Sequence, residues 1–346
     1  MKYKLLSVGK DKELPPSINI GDYVQALAAS QFLPTIDGFI DRDNDLKSYD
    51  GDECKVIMNG WYMHKPQNWP PSSKIIPLFV AFHINSAYKE FFKKKSSIDY
   101  LKQYEPIGCR DPYTLEFLKS QNVKAYFSAC LTLTLGEKYT SIEKGENIYF
   151  VDPYVYYCIS LSEIVNTLFS YIFNFRCINS LAKKFVPYKM EKNLIRRIYG
   201  VSCFYRQYSK VFPKNILLNA RYISHISKEY RERCPTEREL LKEAERLIIN
   251  YSKAKLVITS RIHCALPCLG IGTNVIFVKD ANLDESNASR LNGLTSFFNI
   301  LDSRKGILSY NNKKVNYETI LNLHNDNSWE KYSDDLKRRC SEFVNS

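Results

Sequence analysis

Arg261 and His263 stand inside TSRIHCALPCLGIG, residues 259–272, a run that is otherwise mostly apolar. Arginine can grip a phosphate or carboxylate with two parallel N–H donors, and histidine exchanges a proton near neutral pH. With Ser260, the pair would suit an anionic substrate that must also be protonated. A second cation, Arg110, directly precedes Asp111 and Pro112 in YEPIGCRDPYTLEFL, residues 104–118. Asp111 can cap a helix that starts at Pro112, so Arg110 would add fixed charge where the helix dipole already favours anions. A third candidate is SINIGDYVQALAASQFL, residues 17–33, in which Asn19 and Gly21 form a turn and Asp22 opens a helix. Backbone N–H groups at such a turn suit an anion or a sugar hydroxyl. Structural readings stand beside these: Asp22 as a plain helix cap, Arg110 in a surface salt bridge with Asp111 or Glu116, and each histidine as a satisfied core residue.

These residues need elements that converge them. The first half alternates strand-like segments (Tyr3–Val8, Lys55–Asn59, Ile75–Phe82, Val123–Phe127) with helical ones (Asp22–Gln31, Asn85–Lys94, Pro112–Ser120). After a polar break at 136–145, a strand over Asn147–Val151 ends in Asp152 and Pro153. The alternation then resumes with a strand Ile216–Leu218, a helix Thr236–Ser252, and strands Lys255–Thr259 and Asn274–Val278. This is the pattern of an α/β fold with parallel sheets, here two Rossmann-like domains, 1–145 and 146–346, facing one another across a cleft. Ligands of such sheets sit beyond the carboxyl ends of the strands. Asn59, with Trp61 and His64 just after it, and His83, with Asn85 just after it, would lie at two of those ends.

Residues 153–214 depart from the alternation and read as a helical, basic insertion. Leu161, Ile164, Val165, Leu168, Phe169, Ile172 and Phe173 fall on one helical face. From Arg176 to Lys214 ten basic residues face one acidic residue, Glu191, so most of the chain's net charge of +12 lies there. The stripe alone fits a core face; beside so much positive charge it also fits contact with an anionic membrane surface. Interleaved aromatics and cations suit single-stranded nucleic acid as well, but no nucleic-acid-binding motif accompanies them. The ten cysteines are scattered without a C-x-x-C pair, which predicts neither a disulfide framework nor structural zinc. The N-terminus lacks the long apolar core of a signal peptide, and no stretch of about 20 residues has the apolar character of a membrane span, so a cytoplasmic location is expected.

Three stretches in this order resemble the polysaccharide pyruvyl transferase family: N-I-G-D-Y-x-Q-A-L-A from Asn19 to Ala28, G-C-R-D-P-Y-T at 108–114, and T-S-R-I-H-C-A-L at 259–266. N-A-S-R-L-N-G-L at 287–294 is similar to a further family stretch. The resemblance covers roughly 1–152 and 215–305. It implies a GT-B-like pair of Rossmann-like domains that moves the enolpyruvyl unit of phosphoenolpyruvate onto two sugar hydroxyls, with no metal, nucleotide or other cofactor. On the matching positions it implies that Arg110 and Arg261, helped by Ser260 and Arg290, bind phosphoenolpyruvate. His263 would then be the general acid, and Asp22 the base or hydroxyl-orienting group. Asn19, Gly21, Gln25, Asn59 and His83 would line the acceptor side. The implied acceptor is a lipid-linked or polymeric bacterial surface glycan, with a 4,6-ketal on galactose as the expected product. The insertion would bring the enzyme to the inner face of the membrane. A glycosyltransferase using a nucleotide sugar would share such a fold, and a non-catalytic membrane or nucleic-acid binding module would share the charge.

Overall fold

The structure is a computed structural model that describes residues 1–8, 17–62, 65–157, 160–187, 190, 193–282 and 291–346. It is a mixed α/β fold built on two main sheets. The first has four parallel strands, β1 (Lys2–Ser7), β2 (Gly38–Asp41), β3 (Cys54–Ile57) and β4 (Ile75–Leu78), in the order β2-β1-β3-β4. The second has seven, β5 (Ile148–Val151), β6 (Arg221–Ile223), β7 (Leu256–Thr259), β8 (Val275–Asp280), β9 (Asn299–Arg304), β10 (Ile307–Tyr310) and β11 (Lys313–Lys314), in the order β6-β5-β7-β8-β9-β10-β11. Its first five are parallel and its last two join antiparallel. The central strands read IYFV and LVIT and are buried throughout, as strands covered on both faces must be. The principal helices are α1 (Ile20–Ser30), α2 (Pro112–Ser120), α3 (Leu161–Lys184), α4 (Leu194–Tyr208), α5 (Glu237–Ser252) and α6 (Ile262–Gly270).

Between the two sheets lies one core fed by both halves: Tyr23, Val24 and Leu27 of α1 pack in the same cluster as Leu247 and Tyr251 of α5 and Cys264, Leu266 and Leu269 of α6. Helix α1 is short, rich in alanine and buried at nine of its eleven positions, so it lets α5 and α6 approach closely. The outer face of the first sheet has its own cluster, dominated by Trp69, Phe79, Phe82 and Phe92. The outer face of the second is covered by α4 and the C-terminal half of α3, with Phe150, Phe204, Tyr208 and Phe212 in edge-on or stacked contact. Thus part of the insertion supplies ordinary core.

The predicted helix at Pro112–Ser120 forms with those bounds, Pro112 first and Asp111 capping the Thr114 N–H at 2.9 Å. Three other expectations change. Ile216–Leu218 belongs to a short helix, Lys214–Asn219, set off by Pro213, and the strand follows at Arg221–Ile223; an apolar run of this length does not distinguish helix from strand. The run Ile75–Phe82 breaks after Leu78, with Ala81 at φ +52°, and His83–Ile84 pairs instead with Trp61–Tyr62. Asn85–Lys94 divides into a 3₁₀ turn capped by Asn85 and a four-residue helix, Lys89–Phe92. Helix α3 is interrupted at Asn174 (φ −124°, ψ 23°): beyond this point Cys177, Ile178, Leu181 and Ala182 are buried, whereas before it most of the apolar stripe faces solvent. Among the described residues no helix is long and apolar enough to cross a membrane.

Candidate active site

The carboxyl ends of four adjacent strands, β6, β5, β7 and β8, form one wall of a pocket of about 270 Å³. His225 follows β6, Tyr154 follows β5, Ser260, Arg261 and His263 follow β7, and Lys279 and Asp280 end β8. The facing wall comes from the first half: Asn19 and Asp22 at the start of α1, Trp61, and Arg110 at the mouth of α2. Six residues singled out in the sequence (Asn19, Asp22, Arg110, Ser260, Arg261 and His263) therefore meet in one place although up to 244 positions separate them.

Arg110 is the unusual group. It is 2% exposed, its Nε has no hydrogen-bond partner, and among the described residues its guanidinium forms no ion pair. Burial pushes its pKa below the ordinary arginine value, while the adjacent Asp111 acts in the opposite direction. Asp111 is committed elsewhere, because its carboxylate takes hydrogen bonds from the Thr114 backbone and hydroxyl and contacts Nδ1 of His83. Burial alone would raise the Asp111 pKa; His83 and Arg110 outweigh it and hold the group below the usual carboxylate range. The surface salt bridge considered for Arg110 does not form with either Asp111 or Glu116. A buried cation so placed gains from an incoming anion what it lacks from the protein.

On the opposite wall Asp152 organises the cations. It takes a positive φ of 39° directly after β5, which turns its carboxylate back over the strand ends. The carboxylate accepts from Arg261 Nε at 2.8 Å, Ser224 Oγ at 2.9 Å and the His225 backbone N–H at 2.9 Å, and the Asp152 carbonyl accepts from Ser260 Oγ at 2.6 Å. Arg261 is thereby fixed at the pocket edge. His263 sits in the first turn of α6, against Gly21: a Cβ added there would lie 3.1 Å from the His263 Cβ. Glycine at 21 is what allows α1 and α6 to begin side by side. Pro267, four residues on, has no N–H to give the His263 carbonyl, yet the helix continues to Gly270.

Asn19, not Asp22, caps α1, its side chain accepting from the Gly21 N–H at 3.1 Å. Asp22 lies in the first turn and is held from behind by Gln25 Nε2 at 3.1 Å and by the buried Arg42 at 3.5 Å. Gln25 and Asn59 do not line the pocket; Asn59 Nδ2 donates to the Gln25 carbonyl at 2.8 Å, so both brace Asp22. His83 is also buried behind the site, 5.6 Å from Trp61 ring centre to ring centre, and Trp61 is the side chain that reaches the pocket. Arg290 and His64 lie outside the described residues.

Sequence reasoning missed Asp152, Tyr154, His225, Lys279 and Asp280. Tyr154 donates to Asp280 Oδ2 at 2.7 Å, and Lys279 lies 3.7 Å from Asp302. His225 is 1% exposed; its Nε2 is 3.0 Å from the Tyr251 hydroxyl, and burial, reinforced by Arg261 and opposed by Asp152, pushes its pKa down to about 4. It is neutral in the folded protein at pH 7. A histidine with a depressed folded pKa contributes stability above its unfolded value of 6.5, and that contribution is lost as pH falls toward 4. Denaturant unfolding across this window should show wild type losing on the order of 3 kcal/mol relative to His225→Gln; parallel pH profiles would show that His225 is not held neutral by the fold.

A family profile, polysaccharide pyruvyl transferase, matches residues 19–280. The match opens on Asn19 and closes on Asp280, both of which line the pocket. No curated protein matches the chain. A solved structure of a functionally uncharacterized protein from Klebsiella pneumoniae covers 84% of this chain and 87% of its own, at 13% identity and a TM-score of 0.40. Because the profile spans about three quarters of the sequence and contains the two cationic motifs and the capped turn that build the pocket, the chain belongs to the polysaccharide pyruvyl transferase family.

Proposed function

We propose that this transferase takes phosphoenolpyruvate as donor and forms a cyclic pyruvate ketal on two hydroxyls of a hexose in a bacterial surface glycan, with O4 and O6 of galactose in a lipid-linked or polymeric acceptor as the expected positions. The observation that carries this reading is Arg110, a buried arginine without an ion pair among the described residues, opposite Arg261 across the pocket. A donor with both phosphate and carboxylate needs two separated cations, and Lys279 adds a third positive group on the pocket wall.

His263 donates a proton to the methylene carbon of phosphoenolpyruvate, which becomes a methyl group and leaves an oxocarbenium-like C2. One sugar hydroxyl adds to C2, its proton passing by way of Asp22 back to His263; the C2–O bond to phosphate breaks, and the second hydroxyl closes the ketal as its proton leaves with the phosphate. Of the two hydroxyl protons, one ends on the methyl group and one on the released phosphate, so the reaction balances without oxidant, reductant or nucleotide. Asp22, held by Gln25 and Arg42, is placed to accept a hydrogen bond from an acceptor hydroxyl. Trp61 and Tyr154 offer aromatic surface to the sugar ring. One wall of the pocket comes from strand ends of the seven-stranded sheet and the other from first-half residues, which is how a GT-B-like pair of domains would divide donor and acceptor.

Thermal unfolding in the presence of ligands tests the donor. Phosphoenolpyruvate at 100 times its Kd should stabilise the fold by about 2.7 kcal/mol, and nucleotide sugars should have no effect. Stabilisation by a nucleotide sugar and none by phosphoenolpyruvate would assign the pocket to glycosyl transfer instead.

A further inference from the structure

We propose that the N-terminal half of α3 docks the protein on an anionic membrane surface. This part of the helix is amphipathic in the reverse sense to a core helix. Thr167 points inward at 1% exposure and bonds back to the Glu163 carbonyl, and Asn174 accepts from Tyr205 of α4. Apart from Ile164, which packs on the core, the apolar side chains point out: Leu161 is 82% exposed, Phe173 81% and Ile172 60%, with Val165, Leu168 and Phe169 about half exposed. Monomeric proteins rarely leave so continuous an apolar face uncovered. The helix is nonetheless firmly begun, by a capping box between Ser160 and Glu163.

Charge selects the occupant. Glu163 is the sole ionisable residue from 161 to 170 and its carboxylate is committed to the cap. C-terminal to the apolar face, the exposed charged residues described up to Lys214 are all cationic: Arg176, Lys183 and Lys184 on α3, Arg196 on α4, and Lys210 and Lys214 after it. Leu194 and Ile195 add exposed apolar groups beside Arg196. A second copy of the chain would set these cations against themselves, whereas an anionic bilayer accepts the apolar face at the acyl boundary and the cations at the headgroups. The docking face is also tied to the site: only five residues separate Tyr154, in the pocket wall, from the Ser160 cap, a reach of at most about 20 Å. The pocket would be held near a membrane-borne acceptor, although attachment itself does not depend on the reaction assigned to the pocket.

The test is flotation of the full-length protein with phosphatidylcholine vesicles, with and without phosphatidylglycerol. Wild type should float with the anionic vesicles, remain behind with pure phosphatidylcholine, and detach severalfold at about 1 M salt, where the screening length falls to about 3 Å. Phe169→Asp with Ile172→Asp, both at exposed positions, should reduce vesicle binding at least about 10-fold while leaving the unfolding temperature and its shift with phosphoenolpyruvate unchanged. Equal binding to neutral vesicles, binding unaffected by the double substitution, or a wild-type dimer that the substitution converts to monomer would each overturn the proposal.

Discussion

His263→Ala should lose phosphate release from phosphoenolpyruvate by about 10²- to 10⁴-fold, the range that a positioned general acid contributes, while circular dichroism and unfolding temperature stay near wild type. The structure separates the two readouts. His263 is only partly buried, on the first turn of α6, and the apolar residues that hold the helix, Cys264, Leu266 and Leu269, come after it. Removing the imidazole deletes a group facing the pocket, not a piece of core. His263→Gln should be equally inactive, because it can hydrogen-bond but cannot deliver a proton at neutral pH. A variant that turned over normally would remove His263 from the chemistry and leave it a positioning residue against Gly21.

Arg110→Met should have the second large effect, and a less usual one. Truncating a buried arginine is ordinarily destabilising, because its partners are left unpaired. Here the described residues offer Arg110 no ion pair and its Nε has no acceptor, so an apolar side chain of similar length removes a desolvated charge at little loss. The unfolding free energy without ligand should be unchanged or higher. Donor affinity should fall about 30- to 1,000-fold, equivalent to roughly 2–4 kcal/mol, and the stabilisation by phosphoenolpyruvate should disappear. Titration calorimetry together with denaturant unfolding checks both halves. A strongly destabilised variant with intact donor binding would make Arg110 a structural cation.

The residues legible in the sequence are those at strand-to-helix turns, where charged side chains interrupt apolar runs. Arg110 before Asp111-Pro112, the Asn19–Asp22 turn and Ser260–His263 are all of this kind, and parallel-sheet geometry brings them together. The residues that escaped lie where an element end was misplaced. His225 follows β6, a strand expected at Ile216–Leu218, so the strand end carrying it fell outside the reading. Lys279 and Asp280 are the last two residues of β8, which runs two positions past Val278. Asp152 was visible as the end of a strand, but its positive φ, which makes it the anchor of Arg261 and His225, has no local signature beyond the following proline.

Asn59 and His83 end apolar runs, as expected of site residues, yet their side chains turn to Gln25 and Asp111. Which side of a strand end faces the ligand depends on a break such as Ala81, and nothing in the run IIPLFVAFHIN signals it. The stripe in α3 has the correct period and, Ile164 apart, the opposite orientation to a core face: Thr167 and Asn174 have partners inside, while Leu161, Val165, Leu168, Phe169, Ile172 and Phe173 face solvent.

The most direct test of ketal transfer is to incubate the protein with phosphoenolpyruvate and a panel of β-galactosides, measuring released phosphate and the mass of the sugar product together. Phosphate release should depend on acceptor, equal the ketal formed mole for mole, require His263 and Arg110, and proceed without a nucleotide sugar. Sugar transfer from a nucleotide donor in the same pocket, with phosphoenolpyruvate left intact, would contradict ketal transfer.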